Sequence, residues 1–356
     1  MDKTFETFNM HGLQLANRVV MAPMTRSRAS VDGVPSNLAA EYYRQRAGAG
    51  LIITEATAVS RQGSGYPNIP GIWNDEQTAG WKAITDAVHC DGGRIFMQIF
   101  HTGRIAHSSL TGERPVSSTD QAPTGQVMAK DYSMQPYETP RVLEAEDIAA
   151  VVDQFRQAAL NAKAAGFDGV EIHAANGYLL DQFLRDGSNQ RSDAYGGWVE
   201  NRARLLVEVI EAAIEAFGAY RVGVRLSPHS GFNSMRDSDP LKTYTEVAAM
   251  LNAYELAYVH MVEPLAANAV GDPVTAAIRR IYKGTLIVNE GLTREAGEEL
   301  LNTGAADLVS FGKPYISNPD LVERFRKGFP LAQPDPATMY GGAAKGYTDY
   351  PVYEAG

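Results

Sequence analysis

Eight short apolar runs divide this chain of 356 residues, and their spacing limits the folds open to it. They are RVVMAP (18–23), GLIITEATAV (50–59), RIFMQIFH (94–101), GVEIHAA (169–175), RVGVRLSP (221–228), YVHMVEP (258–264), TLIVNEG (285–291) and LVSFGKP (308–314). Each is apolar at consecutive positions, the pattern of a parallel strand covered on both faces. Helical patterns separate them. In EAEDIAAVVDQFRQAALNAKAAG, residues Ile148, Val151, Val152, Phe155, Ala159 and Ala162 fall on one stripe that stops at Gly166. SNLAAEYYRQRAGAG offers Ser36 or Asn37 as an N-cap. Eight strands alternating with helices predict an α/β fold, a (β/α)8 TIM barrel. A doubly wound sheet is the competitor, but no G-x-G-x-x-G follows the first run.

Around that frame, residues 4–17 read as a β-hairpin turning at His11-Gly12, a cap for the barrel bottom before the first strand. Residues 102–140 are rich in Gly, Ser, Thr and Pro and too long for an ordinary connection, which makes them an excursion over the barrel top after strand three. The tail holds Tyr340, Tyr347 and Tyr350 without helical period and reads as a packed strap, with only Tyr340 near the site. Residues 1–356 form a single domain on this reading.

Composition narrows the function classes. A formal net charge of -10 argues against nucleic acid as a partner. The single cysteine, Cys90, excludes an internal disulfide, an iron–sulfur cluster and a cysteine zinc site, and reads as a small buried hydrophobe at a helix end. No signal pattern opens the chain and no apolar run reaches membrane-spanning length, so no membrane partner and a cytoplasmic location are expected.

In barrels of this kind the chemistry sits at the C-terminal strand ends. Gln98 and Arg225 lie within strands, where a polar side chain must face the barrel interior or stay unpaired. Arg225 suits an anion, an electron-rich acceptor or a structural ion pair. NEGLTREAG and FGKPYISNPDL place Gly291, Gly312 and Lys313 after strands seven and eight, the usual phosphate position of the fold, although such glycines also serve plain turns. Together these features suit a flat, polar-edged ring with a phosphate tail, such as flavin mononucleotide. In HAANGY, His173, Asn176 and Tyr178 cluster at the end of strand four; singly they could cap a strand, make a turn or pack in a core. His101 and His107 stand six apart with no carboxylate between them, which makes a poor metal site, and no metal is expected.

On NRVVMAPMTRSRA, EYYRQRAGAGLIITEAT, GYPNIPGIW, MQIFHTGR, GFDGVEIHAANGYLLDQFL, NQRSDAYGGWVENRARLLVEV, VRLSP, FGKPYISNPDL and GYTDYP, the chain resembles the Old Yellow Enzyme family of FMN-dependent ene reductases over essentially its whole length. The resemblance implies non-covalent FMN lined by Pro23, Met24, Thr25 and Ala56, with Thr25 toward the flavin O4, Gln98 on the pyrimidine edge and Arg225 near N1 and O2. Gly291, Gly312 and Lys313 would hold the phosphate. It implies reduction by NADPH or NADH, then hydride transfer from the flavin to the β-carbon of an enone. His173 and Asn176 would bind the carbonyl and Tyr178 would protonate the α-carbon. Tyr66, Phe100, Phe232 and Tyr340 would shape the substrate side. Many relatives carry Trp at the position of Phe100 and Arg at that of Lys313, which bears on substrate preference and on phosphate hydrogen bonding. Small-molecule enones and nitro compounds are the implied partners of a monomer or homodimer. Two other readings stand beside this one: a reductase acting mainly on nitrate esters or nitroaromatics, and a flavin- or phenol-binding sensor without turnover.

Overall fold

The computed structural model describes residues 2–263 and 273–353. The eight runs form eight strands: β1 (Val19–Met21), β2 (Leu51–Ile53), β3 (Ile95–Phe100), β4 (Gly169–Ala174), β5 (Val222–Leu226), β6 (Tyr258–Val262), β7 (Leu286–Asn289) and β8 (Leu308–Phe311). They pair in parallel in the order β4-β5-β6-β7-β8-β1-β2-β3, and β3 pairs with β4 to close the barrel. Helices follow the strands: α1 (Asn37–Arg44), α2 (Asp75–Cys90), α3 (Ala145–Ala164), α4 (Arg204–Phe217), α5 (Pro240–Leu251), α6 (Val274–Ile281), α7 (Arg294–Thr303) and α8 (Leu321–Lys327). None is long and apolar enough to cross a membrane among the described residues.

Several strands are shorter than their apolar runs. The run 50–59 breaks after Ile53, and Thr57–Ala58 pairs separately with Ile99 and Phe100 of β3. Between the two pieces, the Glu55 carboxylate accepts from the Arg26 backbone N–H, and the Glu55 N–H donates to the Tyr43 hydroxyl. The last residue of the run 258–264 lies outside the described residues.

The hairpin is present, Phe8–Met10 against Leu13–Leu15, with His11 and Gly12 both at positive φ as a two-residue turn of this hand requires. Its Met10 and Leu15 bury against Val20, Leu51, Phe96, Tyr258, Ile287 and Leu308, and so close the barrel bottom. Glycine makes that core possible. A Cβ on Gly169 would stand 2.3 Å from the Phe96 ring, and one on Gly223 would stand 2.3 Å from the Tyr258 ring. The two rings fill the space the glycines leave, 5.7 Å apart.

The excursion 102–140 contains a short helix (Ser108–Thr111) and a small hairpin, Gln126–Met128 against Met134–Pro136. It lies against the loops after β2 and β5: Asn68 donates to the Tyr132 hydroxyl at 3.0 Å, and the Thr124 backbone N–H donates to the Ser234 hydroxyl. The tail is a strap. Tyr347 is fully buried, its ring stacked on Tyr42 at 4.2 Å, while Arg26 and Arg28 donate to the carbonyls of Thr338, Met339, Ala343, Lys345 and Gly346.

One expectation needs correction. Cys90 is exposed, not buried. The buried stripe of α2 runs through Gln77, Trp81, Ile84 and Val88, and the last residue of the helix falls off it. Ser36 does hold the N-cap position of α1, but its hydroxyl makes no capping bond.

The Gly169–Phe96 contact gives a direct test of the packing. Gly169→Ala should destabilise the protein by about 1–3 kcal/mol through overpacking. Adding Phe96→Leu should recover part of that loss in urea denaturation, whereas Phe96→Leu alone should destabilise.

Candidate active site

Side chains two apart on a strand share a face, so Glu171 and His173 both enter the barrel with Gln98, Arg225, His260, Asn289 and Ser310 from neighbouring strands. Strand register sets Glu171 beside Gln98, and Arg225 between His173 and His260. Gln98 Nε2 donates to Glu171 at 2.7 Å, and Glu171 is 2.8 Å from His260 Nδ1. His260 Nε2 lies 2.8 Å from the Ser310 hydroxyl. On the other side, Arg225 Nη2 donates to Asn289 Oδ1 at 3.0 Å, and Asn289 donates to the Ser310 carbonyl. All of these residues are buried.

Above this layer the side chains become aromatic. The Phe100 ring lies parallel to His173 and edge-on to Tyr178, at 6.1 and 5.2 Å between centroids. His173 and Tyr178 meet edge to face at 5.0 Å. The Tyr178 hydroxyl is 3.2 Å from that of Tyr66. Ala56 packs in the same small cluster with Ala58, Ile69 and Phe100. Burial pushes the Tyr178 phenol up to about 12, so it carries its proton at neutral pH. Burial likewise holds the His173 imidazole well below its usual value, helped by the Arg225 charge, so it is neutral.

Asn176 follows at φ 56°, in the left-handed region that Asn tolerates. Its N–H donates to the Ser227 hydroxyl at 2.8 Å, and its carbonyl accepts from Asn233. The turn Phe232–Ser234 thus packs on Asn176-Gly177 through its backbone and Asn233, while the Phe232 ring itself is exposed. Pro23, Met24 and Thr25 follow β1 at the barrel mouth. Met24, Thr25, Lys313, Ile316, Met339 and Tyr340 line one cavity of about 280 Å³, which brings the strap to the residues after strands one and eight. Gly312 is the N-cap of the helix Lys313–Ser317, and Lys313 is exposed there. Gly291 has positive φ with nothing within 4 Å of where a Cβ would be. His101 and His107 do not converge. His101 Nδ1 accepts from the Gly103 N–H and His107 Nδ1 from the Ser109 N–H, and among the described residues no three His, Cys, Asp or Glu side chains form a metal-like group.

Glu171, His260, Asn289 and Ser310 were not singled out from the sequence. Their signal is the period of two: Glu171 stands two before His173, His260 stands two after Tyr258, and each interrupts an apolar run. His173 Nδ1 and Arg225 Nε are among the buried polar atoms that have no partner among the described residues. Leaving such groups unpaired costs on the order of 1–3 kcal/mol each, so their presence at a barrel mouth points to a polar-edged ligand. With an open glycine loop after β7 and a lysine at a helix start after β8, they fit a planar ring carrying a phosphate, and hence FMN.

Comparisons with known proteins agree. The profile of the family described as NADH:flavin oxidoreductase / NADH oxidase matches residues 3–332. The 12-oxophytodienoate reductase 7 of Oryza sativa subsp. japonica is 45% identical over 371 residues, covering 98% of this chain and 94% of the relative. The old yellow enzyme homologue from Zymomonas mobilis has a solved structure that superposes with a TM-score of 0.96 at 42% identity, over 98% of this chain and 99% of that one. Morphinone reductase in complex with tetrahydroNAD gives a TM-score of 0.94 at 45% identity, over 99% and 98%.

The buried histidine beside this site predicts an acid sensitivity. Burial holds the His101 imidazole down to about 3, far below its ordinary value of about 6.5. A folded-state value depressed in this way contributes stability that is present above 6.5 and is lost as pH falls toward 3, at about 1.4 kcal/mol per pH unit. His101→Asn keeps an acceptor for the Gly103 N–H without the titration. Its urea-unfolding free energy should fall less between pH 6.5 and 5 than that of the parent protein, by about 2 kcal/mol.

Proposed function

The chain belongs to the NADH:flavin oxidoreductase / NADH oxidase family, among the Old Yellow Enzymes, FMN-dependent oxidoreductases with a nicotinamide reductant, and we propose that it is an NAD(P)H-dependent ene reductase acting on the C=C bond of α,β-unsaturated carbonyl compounds. The observation that carries the reading is the pairing of an unpartnered, neutral, buried His173 with a buried, protonated Tyr178 at 5.0 Å between ring centroids. Relatives named as reductases of 12-oxophytodienoate and of morphinone support it.

On this reading Pro23, Met24, Thr25, Ala56, Gln98 and Arg225 hold the flavin ring, and Gly291, Gly312 and Lys313 hold its phosphate. Bound FMN supplies the hydride that NADPH or NADH provides. The protein's own side chains do the rest. His173 and Asn176 donate hydrogen bonds to the substrate carbonyl oxygen. A neutral imidazole is a donor that cannot lose a charge here, and its bond strengthens as negative charge builds on that oxygen, which favours the transition state over the ground state. Tyr178 gives its proton to the α-carbon, completing the saturated carbonyl product. Its neighbour Tyr66 is also pushed well up by burial, so the hydroxyl pair stays protonated at working pH. Phe100 packs edge-on against the Tyr178 ring and fixes its plane. Phe100, Tyr66 and Tyr340 shape the space left for substrate. Phe232, with its ring exposed, acts at the entrance.

The half-reactions separate these roles. In anaerobic stopped-flow, Tyr178→Phe should slow reoxidation by cyclohexenone by about 10²–10⁴-fold and leave reduction by NADPH nearly unchanged. Equal slowing of both half-reactions would remove Tyr178 as the acid. Replacing His173 and Asn176 together by Leu should slow reoxidation by at least ~10²-fold.

A further inference from the structure

Gln98 and Arg225 are the two ends of one hydrogen-bonded chain that crosses six of the eight strands. From β3 it runs through Gln98, Glu171 on β4, His260 on β6, Ser310 on β8 and Asn289 on β7 to Arg225 on β5. The direction of each bond follows from the groups. A carboxylate only accepts, so the Gln98 amide must turn its Nε2 to Glu171, which leaves its carbonyl oxygen and its second N–H available to a ligand. For the same reason His260 Nδ1 carries a proton. Burial lowers the proton affinity of the ring, and Glu171 offsets only part of that, so His260 is neutral and its Nε2 accepts from the Ser310 hydroxyl. Burial alone would raise the Glu171 carboxyl, yet His260, Arg225 and Gln98 leave it below its usual value and ionised. The layer thus holds one anion, Glu171, and one cation, Arg225.

We propose that Glu171, held by His260, is a positioning residue and fixed counter-charge that orients Gln98, offsets Arg225 and so sets the reduction potential of the cofactor bound against them. A ligand that gains negative charge on reduction meets Arg225 already partly balanced by a buried carboxylate. In a dry interior, that balance matters more than it would in water. Glu171 lowers the potential, and removing its charge favours the reduced form. The inference rests on the placement of FMN against Gln98 and Arg225, and is independent of which compound the reduced enzyme acts on.

The test is the midpoint potential of the purified FMN-loaded protein, read against a reference dye, in a set of near-isosteric variants. Glu171→Gln keeps the shape and a hydrogen-bonding oxygen but loses the charge. It should shift the oxidised-to-reduced equilibrium at least tenfold toward the reduced form, ~30 mV upward for a two-electron couple. His260→Leu leaves the buried carboxylate without its principal donor and should move the potential the same way. His260→Asn, whose side-chain N–H can replace Nδ1, should stay near the parent value. A folded Glu171→Gln protein with unchanged potential overturns the proposal, as does an equal shift in His260→Leu and His260→Asn. If Glu171→Gln fails to fold, the contrast between the two His260 variants decides alone. Arg225→Lys separates the causes of a null result: a potential that moves there but not in Glu171→Gln overturns only the counter-charge role, and one that moves in neither overturns the cofactor placement with it.

Discussion

A hydrogen-bonded layer of polar side chains buried inside an apolar barrel is the constraint on which the rest of this molecule depends. Burying Glu171 and Arg225 is unfavourable unless each is paired and hydrogen-bonded, and six strands contribute to pairing them. That requirement fixes strand register. A slip by one residue on β4 would turn Glu171 and His173 outward against α3 and α4, and bring Ile172 into the polar layer. The apolar cluster below, closed by the hairpin residues Met10 and Leu15, excludes water from the underside of the layer. The layer therefore opens only upward, at the barrel mouth.

That polarity divides the site into a charged floor and a neutral roof. Arg225 and Glu171 keep their charges at the floor, while His173 and Tyr178 above them are held uncharged by the same burial. The roof is assembled from distant sequence. Tyr66 comes from the loop after β2 and Phe100 from the end of β3, while Tyr340, itself largely exposed, comes from a strap held by Arg26 and Arg28, just after the Met24 and Thr25 that follow β1. Five strap carbonyls bonded to two guanidinium groups make the position of Tyr340 depend on the segment that lines the same cavity.

Much of this was legible in the sequence, for definable reasons. Consecutive apolar residues report burial on both faces, so all eight barrel strands could be read, and the His11-Gly12 pair marked the hairpin because its turn needs two positive φ angles. Strand ends were less legible: the run 50–59 looked continuous, and only the tertiary bonds of Glu55 show why it breaks. Residue type suggests burial for Cys90, but the buried stripe of its helix has already passed there. His173, Tyr178, Phe100 and Tyr66 converge as a group, whereas the Phe232 ring stays exposed beside the turn its backbone supports. Glu171 and His260 each stand between two apolar neighbours, which read as plain strand. Which residues face one another across a barrel depends on register, and one sequence does not reveal register.

The central claim is that substrate is activated by groups that do not ionise in the working range: a neutral His173 and a protonated Tyr178. The most direct measurement is the pH dependence of the alkene half-reaction alone, followed anaerobically with pre-reduced enzyme from pH 6 to 10. The imidazole stays neutral above its depressed value, and the phenol stays protonated until about 12, so the rate constant should be flat across that range. A rate that falls with a midpoint between pH 7 and 9 would contradict the account, because neither group changes charge there.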